Sequence, residues 1–170
     1  IPMAHQVGGN FFSKMARSFI NSIYYNLADK FITISELMKN ELLMRAPRQD
    51  IVIVRNGLDL KKLTHQEKVE SRTKLGISEH DYVIAIIGRV SFKQKAHDFL
   101  VETLNRFKRD LGALRLMVVG DGPDLSKLKE LVISYGLEDR IIFCSWSNDL
   151  SLVYAAVDAL VIPSWYEGVL

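Results

Sequence analysis

Several short stretches of this sequence place polar or charged side chains directly behind apolar, strand-like runs. The last run, Ala159-Leu160-Val161-Ile162, leads into Pro163-Ser164-Trp165-Tyr166-Glu167-Gly168-Val169-Leu170. A carboxylate just beyond the carboxyl end of a buried strand stands where open α/β sheets bind ligands. Two readings fit Glu167: an acid that binds hydroxyls or stabilises developing positive charge, or a favourable charge at a helix N-terminus.

A second candidate is Gly88-Arg89, directly after the run 83–87, with Lys93 and Lys95 before the next helical stretch. Glycine permits a tight turn at a strand end. Arginine offers a planar fork for phosphate oxygens and lysine a point charge. The following helix N-terminus adds N–H donors and a positive field. Together these would hold a diphosphate; the alternative is a solvated basic loop. Gly120-Asp121-Gly122-Pro123 imitates the start of a dinucleotide fingerprint, but Leu125 stands where the third glycine belongs, so a structural turn is expected. Cys144-Ser145-Trp146 closes the next strand. Trp146 would stack on a base or sugar, or pack at an interface. Cys144 has no histidine nearby in sequence to activate it. His5, ahead of Gly8-Gly9, is a site candidate or a structural histidine. His65, His80 and His97 show no ligand-like spacing, and no metal site is expected.

Two α/β stretches must position these residues. In the first, residues 10–27 carry apolar side chains at helical spacing and 31–34 read as a strand. Ser35 would cap a helix running to about Arg45, and 51–54 form a second strand before the turn Asn56-Gly57. Residues 58–80 are charged and poorly patterned, and read mainly as a connection with helical fragments. The second stretch alternates: strands at 83–87, 114–119, 141–143 and 159–162, helices at 97–111, 125–135 and 149–156. Near-continuous apolar strands separated by helices imply parallel sheet covered on both faces.

The 170 residues are 48% apolar, with 22 Lys plus Arg against 20 Asp plus Glu. Residues 1–60 carry seven bases and five acids, and 61–170 fifteen of each, so no basic footprint for nucleic acid exists. The single cysteine excludes an intramolecular disulfide and fits a reducing compartment. No apolar run approaches the ~20 residues of a membrane span. The segment 10–27 would lie on a membrane surface or bury against the domain sheet. The first residue is Ile1, and the last lies two positions after Gly168, so the chain is expected to be an excerpt of a longer protein.

Several motifs occur in one order: Ala28-Asp29, Ile34-Ser35-Glu36, Val54-Arg55-Asn56-Gly57-Leu58-Asp59, Gly88-Arg89 with Gln94-Lys95, Val119-Gly120-Asp121-Gly122-Pro123, and Pro163-Ser164 with Glu167-Gly168. This resembles the retaining glycosyltransferases of family 4, across nearly the whole chain. The resemblance implies the GT-B fold: two Rossmann-like parallel-sheet domains facing across a cleft, both incomplete here. Residues 1–58 would be the rear of an N-terminal acceptor domain, 59–79 the connection, and 80–170 the front of a C-terminal nucleotide-sugar donor domain.

The same resemblance assigns roles. Arg89 and Lys95, framed by Gly88, would hold the donor diphosphate. Ala96 stands where the family usually has glycine. Glu167 would be the first acid of an E-x(7)-E motif contacting the donor sugar, and its partner would fall beyond Leu170. Gly168, Val169 and Leu170 would begin the loop whose backbone approaches the donor. His5 resembles the acceptor-domain histidine facing the sugar, and Cys144-Ser145-Trp146 would lie in the nucleobase region. The implied activity is hexosyltransferase-type transfer from a nucleotide-diphosphate sugar to an acceptor hydroxyl with retention. The acceptor would be a glycan, a lipid-linked sugar or a small molecule. No cofactor or metal is implied, and the expected location is cytoplasmic, with peripheral contact at the inner membrane face as a variant. A GT-B sugar-nucleotide epimerase and a non-catalytic GT-B-like binding domain are the alternatives.

Overall fold

The computed structural model describes residues 25, 27–45, 50–57 and 62–167. His5, most of the 10–27 segment, Gly168, Val169 and Leu170 lie outside them. The chain divides into two compact units: Ile1–Leu60 with Glu167–Leu170, and Lys61–Tyr166.

In the first unit, β1 (Lys30–Thr33) and β2 (Asp50–Ile53) pair in parallel, Ile32 opposite Val52, with helix α1 (Glu36–Arg45) between them in sequence. Ser35 caps this helix as its sequence suggests: its hydroxyl accepts the Met38 N–H at 3.2 Å, and Glu36 adds a negative charge in the first turn.

The second unit is a four-stranded parallel sheet in the order β5-β4-β3-β6. The strands are β3 (Tyr82–Ile87), β4 (Leu114–Val119), β5 (Ile141–Cys144) and β6 (Ala159–Leu160). Strand period sorts the side chains into two cores. Ile86, Leu116 and Val118 pack with Leu100, Val101, Leu104, Leu128 and Val132 from helices α4 (His97–Arg106) and α5 (Leu125–Ser134). Val83, Ala85, Met117 and Val119 pack with Ile77, and with Val153 and Ala156 of α6 (Ser151–Ala156). Both faces are therefore covered, as the apolar strand runs require.

Three local expectations change. Residues 58–80 are more than a connection: they hold helix α2 (His65–Lys74), packed beside α6 in the second unit. The sequence signal was Thr64-x-x-Glu67, a reciprocal capping box: Glu67 N–H donates to Thr64 Oγ1, and Thr64 N–H to Glu67 Oε2. What its charged composition hid is that Arg72 is buried. Arg72 pairs with Asp158 and donates to the carbonyls of Ala156, Ser78 and Asp81, at 3.0, 3.2 and 3.0 Å. Asp158 also accepts from Lys68 at 2.7 Å and from Val83 N–H at 2.7 Å. Burial works to raise its carboxyl, but these hydrogen bonds and the Arg72 charge hold it below the ordinary range.

Second, α4 stops at Arg106 and does not run to Leu111. Beyond it, Lys108 reaches the far end of α5, donating to the carbonyls of Tyr135 at 2.8 Å and Gly136 at 2.6 Å. Third, a four-residue helix α3 (Phe92–Lys95) stands between β3 and α4.

Candidate functional site

The candidate residues of the second unit lie along the carboxyl edge of its sheet. Strand register makes that edge level: Ile87 pairs with Val119, and Val119 with Cys144. The ladder continues one step beyond, Gly88 N–H donating to Val119 O at 2.9 Å and Gly120 N–H to Cys144 O at 3.0 Å. Gly88, Gly120 and Ser145 thus open side by side. The first strand of this unit lies between the second and the fourth, so its topological switch point falls between β3 and β6. Open α/β sheets bind ligands at that crevice. The segments leaving it are Gly88–Arg89 and 163–167.

Arg89 is exposed. Lys95 folds back toward Gly88: a Cβ there would meet the Lys95 Cε at 3.8 Å. The structure therefore brings Gly88, Arg89 and Lys95 to one strand end, while Lys93 is exposed on the short helix. Between Lys95 and α4, Ala96 adopts the left-handed conformation, φ 54° and ψ 41°, fully buried. Among the described residues it is the only non-glycine with positive φ. Alanine holds this conformation at a cost of roughly 1–2 kcal/mol, which glycine would avoid.

The Gly120–Pro123 loop is a structural turn, as the broken fingerprint predicts. A Cβ on Gly120 would run into the Gly88 carbonyl, and one on Gly122 into the Val90 backbone. Val90 N–H donates to Asp121 O at 2.9 Å, and Phe92 N–H to Asp124 Oδ2 at 3.0 Å. This loop buttresses the basic one.

Cys144 ends β5, half-buried, and burial pushes its thiol up, which agrees with an unreactive cysteine. Ser145 is exposed, and Trp146 keeps 53% of its surface exposed, so its ring is not packed into the core. The 163–166 segment is stitched to α3: Trp165 N–H donates to Gln94 O at 2.9 Å, and its ring lies 6.1 Å from that of Phe99. Glu167 groups with the first unit.

One residue carries a feature its sequence spacing did not reveal. His97, the first residue of α4, is 1% exposed, and neither ring nitrogen has a hydrogen-bond partner. Burial holds its pKa down at about 4, outweighing Asp98, so the ring is neutral at neutral pH. The first unit contributes a shallow cavity of about 280 Å³ lined by Ile34, Ser35, Glu36, Arg55 and Asn56. Among the described residues, no group of three or more His, Cys, Asp or Glu could hold a metal ion, and no helix is long and apolar enough to cross a membrane.

A level parallel edge between helix-covered faces, with the switch point between β3 and β6, defines a class: a Rossmann-like α/β unit. The family described as "Glycosyl transferases group 1" matches residues 81–170, and the chain belongs to it. An uncharacterized glycosyltransferase of Methanocaldococcus jannaschii is 26% identical over 144 residues, 80% of this chain and 36% of that protein. A D-inositol 3-phosphate glycosyltransferase of Mycobacteroides abscessus is 34% identical over 126 residues, 69% of this chain and 27% of that protein. The chain thus spans about a third of the length of the curated relatives it matches. Among solved structures, WaaG, a glycosyltransferase of lipopolysaccharide biosynthesis, superposes with a TM-score of 0.70 at 22% identity over 81% of this chain and 38% of its own. HepE of Anabaena, in complex with UDP and glucose, gives 0.73 at 21% over 91% and 42%. These neighbours are GT-B glycosyltransferases, and the fold of this chain is of that type.

Proposed function

We propose that this chain supplies part of the acceptor side and part of the donor side of a family 4 glycosyltransferase. The enzyme moves a hexose from a nucleotide-diphosphate sugar to an acceptor hydroxyl with retention. The observation that carries this reading is the return of Lys95 to Gly88, beside Arg89, at the switch-point end of β3. Relatives named as D-inositol 3-phosphate glycosyltransferase and a neighbour crystallised with UDP and glucose support a nucleotide-sugar donor. Residues 80–170 are the donor part and residues 1–58 the acceptor part.

The physical task is to stabilise a departing diphosphate while the sugar becomes oxocarbenium-like. Arg89 meets the phosphate oxygens with its planar fork, and Lys95 adds a fixed positive charge. Charges preorganised where leaving-group charge develops commonly make the largest catalytic contribution. The Gly120–Pro123 loop holds Gly88 and Val90 in place, so the basic residues need little rearrangement. Glu167 is assigned to the donor sugar, His5 to catalysis, and Gly168, Val169 and Leu170 to donor binding. Trp146 offers its exposed ring to the nucleobase, with Cys144 and Ser145 beside it. The acceptor proton leaves with the departing phosphate on the same face of the sugar.

Titration of the intact protein with UDP-, GDP- and ADP-sugars, followed by product analysis with and without added acceptors, tests the reading. Transfer to an acceptor with the anomeric configuration kept is the expected result. Isomerised sugar without an acceptor requirement identifies an epimerase, and binding without turnover a non-catalytic domain.

A further inference from the structure

Five buried side-chain polar atoms among the described residues have no hydrogen-bond partner, and four of them belong to two adjacent residues and to one from a neighbouring segment: His97 Nδ1 and Nε2, Asp98 Oδ1 and Ser164 Oγ. His97 and Asp98 open α4 directly after the strained Ala96 turn that follows Lys95. Ser164 lies in the segment that Trp165 ties to Gln94 and Phe99. Each orphaned buried group costs about 1–3 kcal/mol, so these call for a cause.

The groups complement one another. A neutral imidazole has one N–H to donate and one lone pair to fill. The Asp98 carboxylate accepts, and the Ser164 hydroxyl donates. The charged groups facing His97 are Lys95, Asp98 and Asp124, with burial keeping the ring uncharged.

We propose that His97 is a positioning residue for Lys95, resting on the donor-phosphate reading above. Phosphate binding at Gly88–Lys95 brings the imidazole into hydrogen bonds with Asp98 and Ser164, and these lock the Ala96 turn onto the 163–166 segment. The strained turn and the unpaired ring are then the ground-state cost of a loop whose bonding completes only with ligand present.

The probe is inorganic pyrophosphate, followed by calorimetry and by long-range ¹H–¹⁵N spectra of the imidazole. His97→Phe should weaken binding roughly tenfold, the scale of one or two lost hydrogen bonds. His97→Gln, which keeps a donor and an acceptor, should recover most of it. In the wild type, pyrophosphate should move the His97 ring-nitrogen resonances. Wild-type binding by Lys95→Ala overturns the phosphate reading itself. Weak binding by Lys95→Ala with normal binding by His97→Phe overturns only the role of His97, as do equal losses in His97→Phe and His97→Gln. Should His97→Phe not fold, the wild-type spectra decide: unmoved ring nitrogens under saturating pyrophosphate overturn the proposal.

Discussion

Two glycine-bearing loops leave adjacent strands of the second unit at the same level, yet they are built for different work. The loop after β3 spends its side chains outward: Arg89 is exposed, and Lys95 bends back to the strand end. The loop after β4 spends its backbone inward. Gly120 and Gly122 are pressed against Gly88 and Val90, and Asp124 closes on the Phe92 N–H. One loop presents charge, while its neighbour fixes the backbone from which that charge projects. Loops that look alike in sequence can divide into a binding element and its support.

Substitutions can break this division. Gly120→Ala should have the largest effect, because a Cβ there meets backbone and the residue sits at φ 140°. Unfolding of the second unit should lose roughly 3 kcal/mol or more. A thermal transition within a few degrees of wild type would deny the buttressing role. Arg89→Ala and Lys95→Ala should leave the fold intact but cost on the order of 2–4 kcal/mol in transition-state stabilisation in the intact protein, about 30- to 900-fold in kcat/KM. An unchanged kcat/KM removes that residue from the site.

The third test is acid titration. His97 has a folded pKa of about 4 against an ordinary 6.5, so the unfolded chain binds the extra proton between those values. Stability is complete above pH 6.5 and falls toward pH 4, by on the order of 3 kcal/mol. Urea unfolding should show that slope in the wild type and lose it in His97→Gln; equal slopes would mean that the ring titrates normally. Asp158, whose carboxyl is held below its ordinary 3.8, adds a loss only at more acid pH. The smallest effect belongs to Asp121→Ala. Its side chain is exposed and bonds only the neighbouring Gly122 N–H, at 3.2 Å, while its backbone carbonyl does the bracing. Stability should stay within about 0.5 kcal/mol, and a large loss would shift the support from backbone to side chain.

Much of the fold was legible in the residues. The apolar runs of β3 and β4, the helical face of Leu100 and Leu104, and the Ser35 cap all follow from periodicity and capping chemistry. The turn expected where Leu125 replaces a third glycine is the turn the structure forms against Gly88 and Val90. Helix α2 has a local signal in its Thr64-x-x-Glu67 capping box, but the burial of Arg72 was hidden, because it meets Asp158, 86 residues away in sequence, and no local pattern encodes such a pair.

By itself, the sequence determined the class of fold, the alternation of strand and helix, and the candidate residues behind each strand, because these depend on local periodicity and on residue chemistry. Only the tertiary structure decided that the Lys95 side chain returns to Gly88, that the Gly120 loop supports its neighbour, and that His97 is buried without a partner. Strand register, close backbone approach and burial arise between segments far apart in the chain, where spacing along the sequence carries no distance in space.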